Sequence, residues 1–149
     1  MRAKAMSSLP KMQKSEFDFV NGLFLRIAEK KKKNGYDSLT AEERVVFLVW
    51  DASGIIENGG LQYFYEQEFD AEAVAAAYEK IGCQKCAELL KLSFSLFPPS
   101  VLQGSWSDRV AFVERNSEMF DNLSNAFWEA DEEMEKRLAD YIKHREVNW

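Results

Sequence analysis

The run T-A-E-E-R-V-V-F-L-V-W-D-A-S-G-I-I-E-N-G-G, residues 40–60, decides how this chain folds. Thr40 followed by Glu43 is the S/T-x-x-E pattern in which a hydroxyl and a carboxylate satisfy the first backbone N–H groups of a helix. Val45, Leu48, Val49, Ala52 and Ile56 then recur at i, i+3, i+4, i+7 and i+11, the spacing of one helical face that must be buried. Asn58-Gly59-Gly60 should end that helix, since glycine adopts the left-handed backbone that a helix C-terminus needs.

Outward from this run the same pattern repeats. Upstream, Ser15 and Asp18 resemble a cap, and Phe17, Val20, Phe24, Ile27 and Ala28 sit at helical spacing before Lys30–Lys33 and Asn34-Gly35. Those lysines complement the negative end of a helix, and a solvated helix end explains them better than an anionic partner does. Downstream, a short turn is expected over Leu61 to Tyr65. Asp70 is the expected N-cap of a helix carrying Ala73, Val74, Ala77, Tyr78 and Ile81, stopped by Gly82. A further helix runs from about Gln84 to Phe97 and closes at Pro98-Pro99, and Ser107 is expected to cap one over Val110 and Val113. Phe120, Leu123, Phe127, Ala130, Met134, Leu138, Tyr141 and Ile142 predict one long helix or two nearly coaxial ones. No stretch alternates like a strand. The expected architecture is all-α: a compact single-domain bundle of six or seven helices over 15–149, preceded by a basic arm over 1–14 whose order the sequence leaves open.

The chain has 149 residues, 46% apolar and 30% charged, which suits one folded core rather than a disordered polyelectrolyte. Its longest apolar run, Val45 to Trp50, is far short of a bilayer span, and no apolar signal segment follows the basic start, so a cytoplasmic protein with no membrane association is expected. Two cysteines and one histidine exclude a disulfide scaffold and leave too few ligands for a structural zinc. No metal or cofactor is expected. The net charge of −6 is unevenly spread: residues 1–36 carry nine bases against three acids, and residues 37–149 carry ten against twenty-two. Such a field repels nucleic acid and attracts basic partners, so direct nucleic-acid binding is not expected.

Catalytic signatures are weak. Cys83 and Cys86 form a C-x-x-C at a predicted helix start, but without the βαβ setting of a redox motif; one thiol facing the core and one near the surface is the simpler reading. His144 lies between Lys143 and Arg145, which disfavour protonation, and suits a helix C-terminus better than base catalysis. No catalytic residue is assigned and the chain is read as a non-enzyme. The string Asn58 to Tyr65 is either a backbone anion nest walled by aromatics or a tight corner with Phe64 packed inward, and the corner is favoured.

The acids are patterned. On a helix starting near Glu118, the side chains of Glu118, Asp121, Glu129 and Glu132 share a stripe through Asn125, with Glu114, Asp131, Glu133 and Glu135 beside it. One carboxylate per turn recurs every ~5.4 Å, the same order as one duplex strand with a phosphate every ~3.4 Å. Glu66, Glu68 and Asp70 belong to a second acidic stretch without a base. Against these stand Glu132 with Lys136 and Glu133 with Arg137, the i to i+4 pairs of an ordinary solvated helix.

The stretch V-F-L-V-W-D-A-S-G-I-I-E-N-G-G-L-Q-Y-F-Y (46–65), then E-A-V-A-A-A-Y-E-K-I-G (72–82), A-E-L-L (87–90), L-F-P (96–98) and the late Leu123 to Trp128 segment, resembles the bacterial DNA-mimic protein family, a small all-helical group otherwise catalogued as a domain of unknown function. Its pattern is a Trp-containing helix, N-G-G-F-x-Q-F/Y-F, a helix ending I-G-A, one ending L-F-P, and a late L-x-x-x-F-Y/W. Here Leu61 stands where an aromatic usually follows N-G-G, Gln62 follows at once, and Cys83 replaces the small residue after I-G. Trp50, Asn58, Gly59, Gly60 and Phe64 match motif positions and read as structural. The resemblance implies a non-catalytic protein whose acidic surface occupies a DNA-binding protein, such as a helix-turn-helix regulator, in place of its operator. The alternative is a protein- or small-ligand-binding module using the aromatic corner with Tyr63, Tyr65 and Trp106. A hydrolytic enzyme with one desolvated carboxyl comes third, and a homodimer is the assembly expected.

Overall fold

The computed structural model describes residues 15–130, 132–145 and 149; the arm over 1–14 and Asp131 lie outside them. The described residues form eight α-helices and one 3₁₀ turn, with no strand: α1 (Ser15–Asn34), the 3₁₀ turn Tyr36–Ser38, α2 (Ala41–Tyr65), α3 (Ala71–Lys80), α4 (Gln84–Ser95), α5 (Pro99–Leu102), α6 (Trp106–Arg115), α7 (Ser117–Ala130) and α8 (Met134–Lys143). The fold is all-α, with one α-helix more than the six or seven expected. The extra one is α5, a single turn that Pro99 can begin because a first helical position needs no backbone N–H.

Backbone contacts divide the chain into two units, residues 1–47 with 133–149, and residues 48–132. In the first, α1 packs on α8 and buries Val20, Leu23 and Ile27, while α8 buries Leu138, Ala139 and Ile142. The Thr40–Glu43 capping box forms as expected: Thr40 N–H donates to Glu43 Oε1 at 2.9 Å and Glu43 N–H to Thr40 Oγ1 at 3.0 Å. Lys30 Nζ adds a third bond to the same Oε1 at 2.9 Å, so the α1 lysine run holds one lysine that ties two helices together. Glu43 is only 6% exposed. Burial opposes its ionisation, but the Lys30 ammonium and the Thr40 bonds outweigh it and hold the carboxyl below its ordinary value of 4.5.

A lowered folded value means that the ionised carboxylate stabilises the fold fully above the ordinary carboxylate range, and that this contribution is lost as pH falls through the lowered value. Glu43→Gln is therefore expected to cost about 1–2 kcal/mol at pH 7. Chemical denaturation of both proteins at pH 7 and pH 3 checks this: the gap between them should narrow in acid.

In the second unit α3 packs on α4, α4 on α7, and α5 and α7 each on α6. Asp70 caps α3 by accepting from Ala73 N–H at 3.2 Å, and Gly82 ends the segment at φ 90°. The core is aromatic: Tyr65, Phe97, Phe112 and Phe120 interlock with centroids 4.8 to 6.3 Å apart, and Phe64 stacks on Phe69 at 4.7 Å. The buried Tyr65 hydroxyl lies 2.5 Å from Ser93 Oγ.

Two expectations need correction. Residues 61–65 are a helical turn, not a bare turn, because the chain re-enters the helix after a break at Gly60. Ser105, not Ser107, caps α6: its backbone is extended and its hydroxyl accepts from Asp108 N–H at 3.1 Å, the S-x-x-D spacing of a capping box. Of the two forms expected for the late segment, two helices are found, α7 and α8. Glu133 adopts φ 56°, a left-handed conformation rare outside glycine, and starts α8 as its N-cap residue.

Candidate interaction surface

The N-G-G corner is built by one non-helical residue and read by α7. Gly60 holds φ 73° and ψ −171°, which breaks the hydrogen-bond ladder of α2 and orphans the Leu61 N–H. Ser124, 98% buried, accepts that N–H through Oγ at 2.9 Å and donates to Gln62 Oε1 at 3.1 Å. Gln62 Nε2 reaches the Asp121 carboxylate, and Trp128 Nε1 donates to the Ile56 carbonyl at 3.2 Å. A Cβ on Gly60 would stand 2.9 Å from Ser124 Oγ, and one on Gly59 2.5 Å from Tyr63 Cβ. Phe64 is buried, Trp50 is half-buried and Asn58 is exposed. The corner therefore docks two segments of the fold. Tyr65, named in the aromatic-corner alternative, is 97% buried with its hydroxyl on Ser93, whereas Tyr63 and Trp106 remain exposed.

The acids sort by what they hold. On α7, Glu118, Asp121, Asn125 and Glu129 are all exposed and share one face, and the helix contains no lysine or arginine. Glu129 stands eleven positions after Glu118, so three carboxylates span ~16 Å of helix axis. Asp121 is engaged by Gln62, while Glu114, at the end of α6, is exposed. Glu132 leaves the stripe: beyond α7, its Oε2 accepts from Lys85 N–H at 3.0 Å and its Oε1 from Cys86 N–H at 2.9 Å. Both oxygens complete the start of α4, a site where a carboxylate meets unpaired N–H groups and the positive end of the helix. Lys136, expected opposite Glu132, reaches Asp140 in its own helix at 3.4 Å. Glu133 is exposed and Glu135 half-buried, both in the first unit; Asp131 lies outside the described residues. Glu66 is exposed, Glu68 pairs with Arg109 at 3.1 Å, and Asp70 is the α3 cap.

The same anchor answers the C-x-x-C question. Cys83 and Cys86 are both buried, against the expectation that one would face the surface. Burial, with the Glu132 carboxylate alongside, pushes the Cys86 thiol far above its ordinary value, so the helix start that could have stabilised a thiolate is already taken by a carboxylate. His144 sits exposed at the end of α8 with Nδ1 2.7 Å from the Asp140 carbonyl oxygen. Among the described residues no group of three or more His, Cys, Asp or Glu side chains comes together as a metal site, and no helix is long and apolar enough to cross a membrane.

Sequence reasoning missed Arg109. It is 92% buried and ties the α2–α3 connection to α6: Nε donates to the Tyr65 carbonyl at 3.3 Å, Nη1 to Gly104 O at 3.0 Å and Nη2 to Glu68 Oε2 at 3.1 Å. An arginine between Asp108 and the apolar run Val110 to Val113 reads locally as solvated, and only the long-range carbonyls reveal its place.

Topology also redistributes charge. Residues 48–132 hold fifteen acids against five bases, while the other unit holds ten acids against fourteen bases. The acidic excess belongs to one unit. No curated protein and no solved structure matches this chain. The model of the DMP19-like protein family matches residues 37–145, which include the N-G-G corner, the α7 segment that reads it and all the helices from α2 to α8, and the chain belongs to that family.

Proposed function

We propose that this chain is a non-catalytic interaction protein whose acidic unit occupies the basic surface of a DNA-binding protein, such as a helix-turn-helix regulator, in place of duplex DNA. The observation that carries the reading is the concentration of fifteen acids against five bases in residues 48–132, with Glu118, Asp121 and Glu129 exposed on one face of a helix that has no base. Three carboxylates over ~16 Å are sparser than the phosphates of one strand, so the mimicry is of field and sign more than of phosphate-by-phosphate register. Such a field speeds encounter with a basic partner and weakens as salt rises.

The family match supports a shared fold, and function is argued from the surface. Capture on the immobilised protein from a bacterial lysate at 50 mM salt, with elution at 500 mM and identification by mass spectrometry, tests the reading. A DNA-binding protein that elutes with salt and is displaced by its own operator duplex is the expected result. Retention that is indifferent to salt and to duplex would overturn it and favour the module built on Tyr63 and Trp106.

A further inference from the structure

A cavity of about 350 Å³ lies in the acidic unit between the α2–α3 connection and the α5–α6 connection, with no α7 residue in its wall. Its wall includes Phe69, Glu68, Asp70, Glu72, Gln103 and Arg109. Three carboxylates meet one guanidinium. Glu68 already neutralises Arg109 at 3.1 Å, which leaves Asp70 and Glu72 without an ion pair among the described residues. Both stand at the start of α3, where Asp70 caps the first turn. The positive end of that helix is thus already covered, and an anionic ligand would meet repulsion rather than free N–H groups. Trp106, in the chain between the lining residues Gly104 and Arg109, is half-exposed yet held by its indole N–H on the Glu66 carbonyl at 2.9 Å. An aromatic residue, Phe69, sharing a wall with uncompensated carboxylates is the composition of an interface anchor for a cation.

We propose that this cavity receives one arginine side chain of the partner protein, its guanidinium pairing with Asp70 and Glu72 against the Phe69 ring; for the basic nature of that partner, the proposal rests on the reading above. Arginine fits better than lysine because its planar fork can pair with two carboxylates at once and stack flat on an aromatic ring, whereas an ammonium is a point charge that cannot stack. The wall already contains one such pair, Arg109 with Glu68.

The test is a titration of the ¹⁵N-labelled full chain with N-acetyl-arginine amide and, separately, with its neutral citrulline counterpart. Saturable shifts of the Ala71 and Gly104 amides by the arginine compound are expected, with no response there to citrulline. Glu72→Gln, at an exposed position, should weaken binding about three- to fivefold, and Gln103→Arg, which places a competing cation on the rim, should abolish it; the remainder of each spectrum reports whether the variant is folded. Equal shifts with citrulline, shifts confined to α7, or unchanged binding in both variants would overturn the proposal. The two readings fail separately: salt-eluted capture without arginine binding removes the cavity and leaves the acidic surface, whereas arginine binding with salt-indifferent capture does the reverse.

Discussion

Gly60→Val is expected to destabilise the protein by about 3–5 kcal/mol, lowering the midpoint of thermal unfolding by roughly 10 °C. Two costs combine. The backbone at φ 73° and ψ −171° lies in a region open almost only to glycine, and forcing a β-branched residue into it costs about 1–3 kcal/mol. The new side chain also arrives where Ser124 Oγ stands 2.9 Å from the Cβ position. Displacing Ser124 leaves the Leu61 N–H buried without its acceptor, worth about 1–3 kcal/mol more. Gly54 supplies the contrast within the same helix: nothing lies within 4 Å of its Cβ position, its backbone is helical, and Gly54→Ala should stabilise by about 0.5–1 kcal/mol. Calorimetry of the two variants should therefore give midpoints on opposite sides of wild type. A Gly60→Val protein that unfolds with wild-type thermodynamics would mean that the corner does not hold α7.

The contrast between these glycines shows what the sequence could say and where it stopped. Local rules were legible, because a cap or a glycine stop is decided within about four residues: the Thr40–Glu43 box, the Asp70 cap and the stop at Gly82 all follow from spacing alone. Gly60 was legible as a terminator, but its partner Ser124 lies 64 residues away and no periodicity announces it. Ser105 and Ser107 were near neighbours in one polar stretch, and the acidic residue three positions after Ser105 was the overlooked clue. The break between α7 and α8 carries no glycine or proline, so apolar spacing ran through it unbroken. Glu132 was the costliest loss to the stripe: its helical spacing was an assumption of continuity, and the N–H donors to its two oxygens, at residues 85 and 86, sit on another element. Charge counted along the chain placed the basic excess in residues 1–36, whereas the fold returns residues 133–149, with four bases, to that same unit.

The second large effect concerns binding, and the hydrogen bonds decide which acids can test it cleanly. Reversing Asp70 would remove a cap, reversing Glu132 would open the start of α4, and reversing Glu68 would leave Arg109 beside a new cation; each would confuse folding with recognition. Asp121 is held by Gln62 and is set aside for the same reason. Glu114, Glu118 and Glu129 are exposed and engage no other side chain among the described residues, so they report on the field alone. Each reversal to lysine removes an attraction and installs a repulsion, worth on the order of tenfold in affinity at low salt. The triple variant should therefore bind the salt-eluted partner at least about a hundredfold more weakly than wild type at 50 mM salt, chiefly through slower association. Its stability should fall by no more than about 1 kcal/mol, the worth of a favourable acid in the first turn of α7. At 500 mM salt the difference should shrink, because exposed charges are then screened within a few ångströms. Surface plasmon resonance across that salt range separates the outcomes: a gap that closes with salt identifies recognition by charge, and wild-type affinity in the triple variant would place the partner on some other face of the acidic unit.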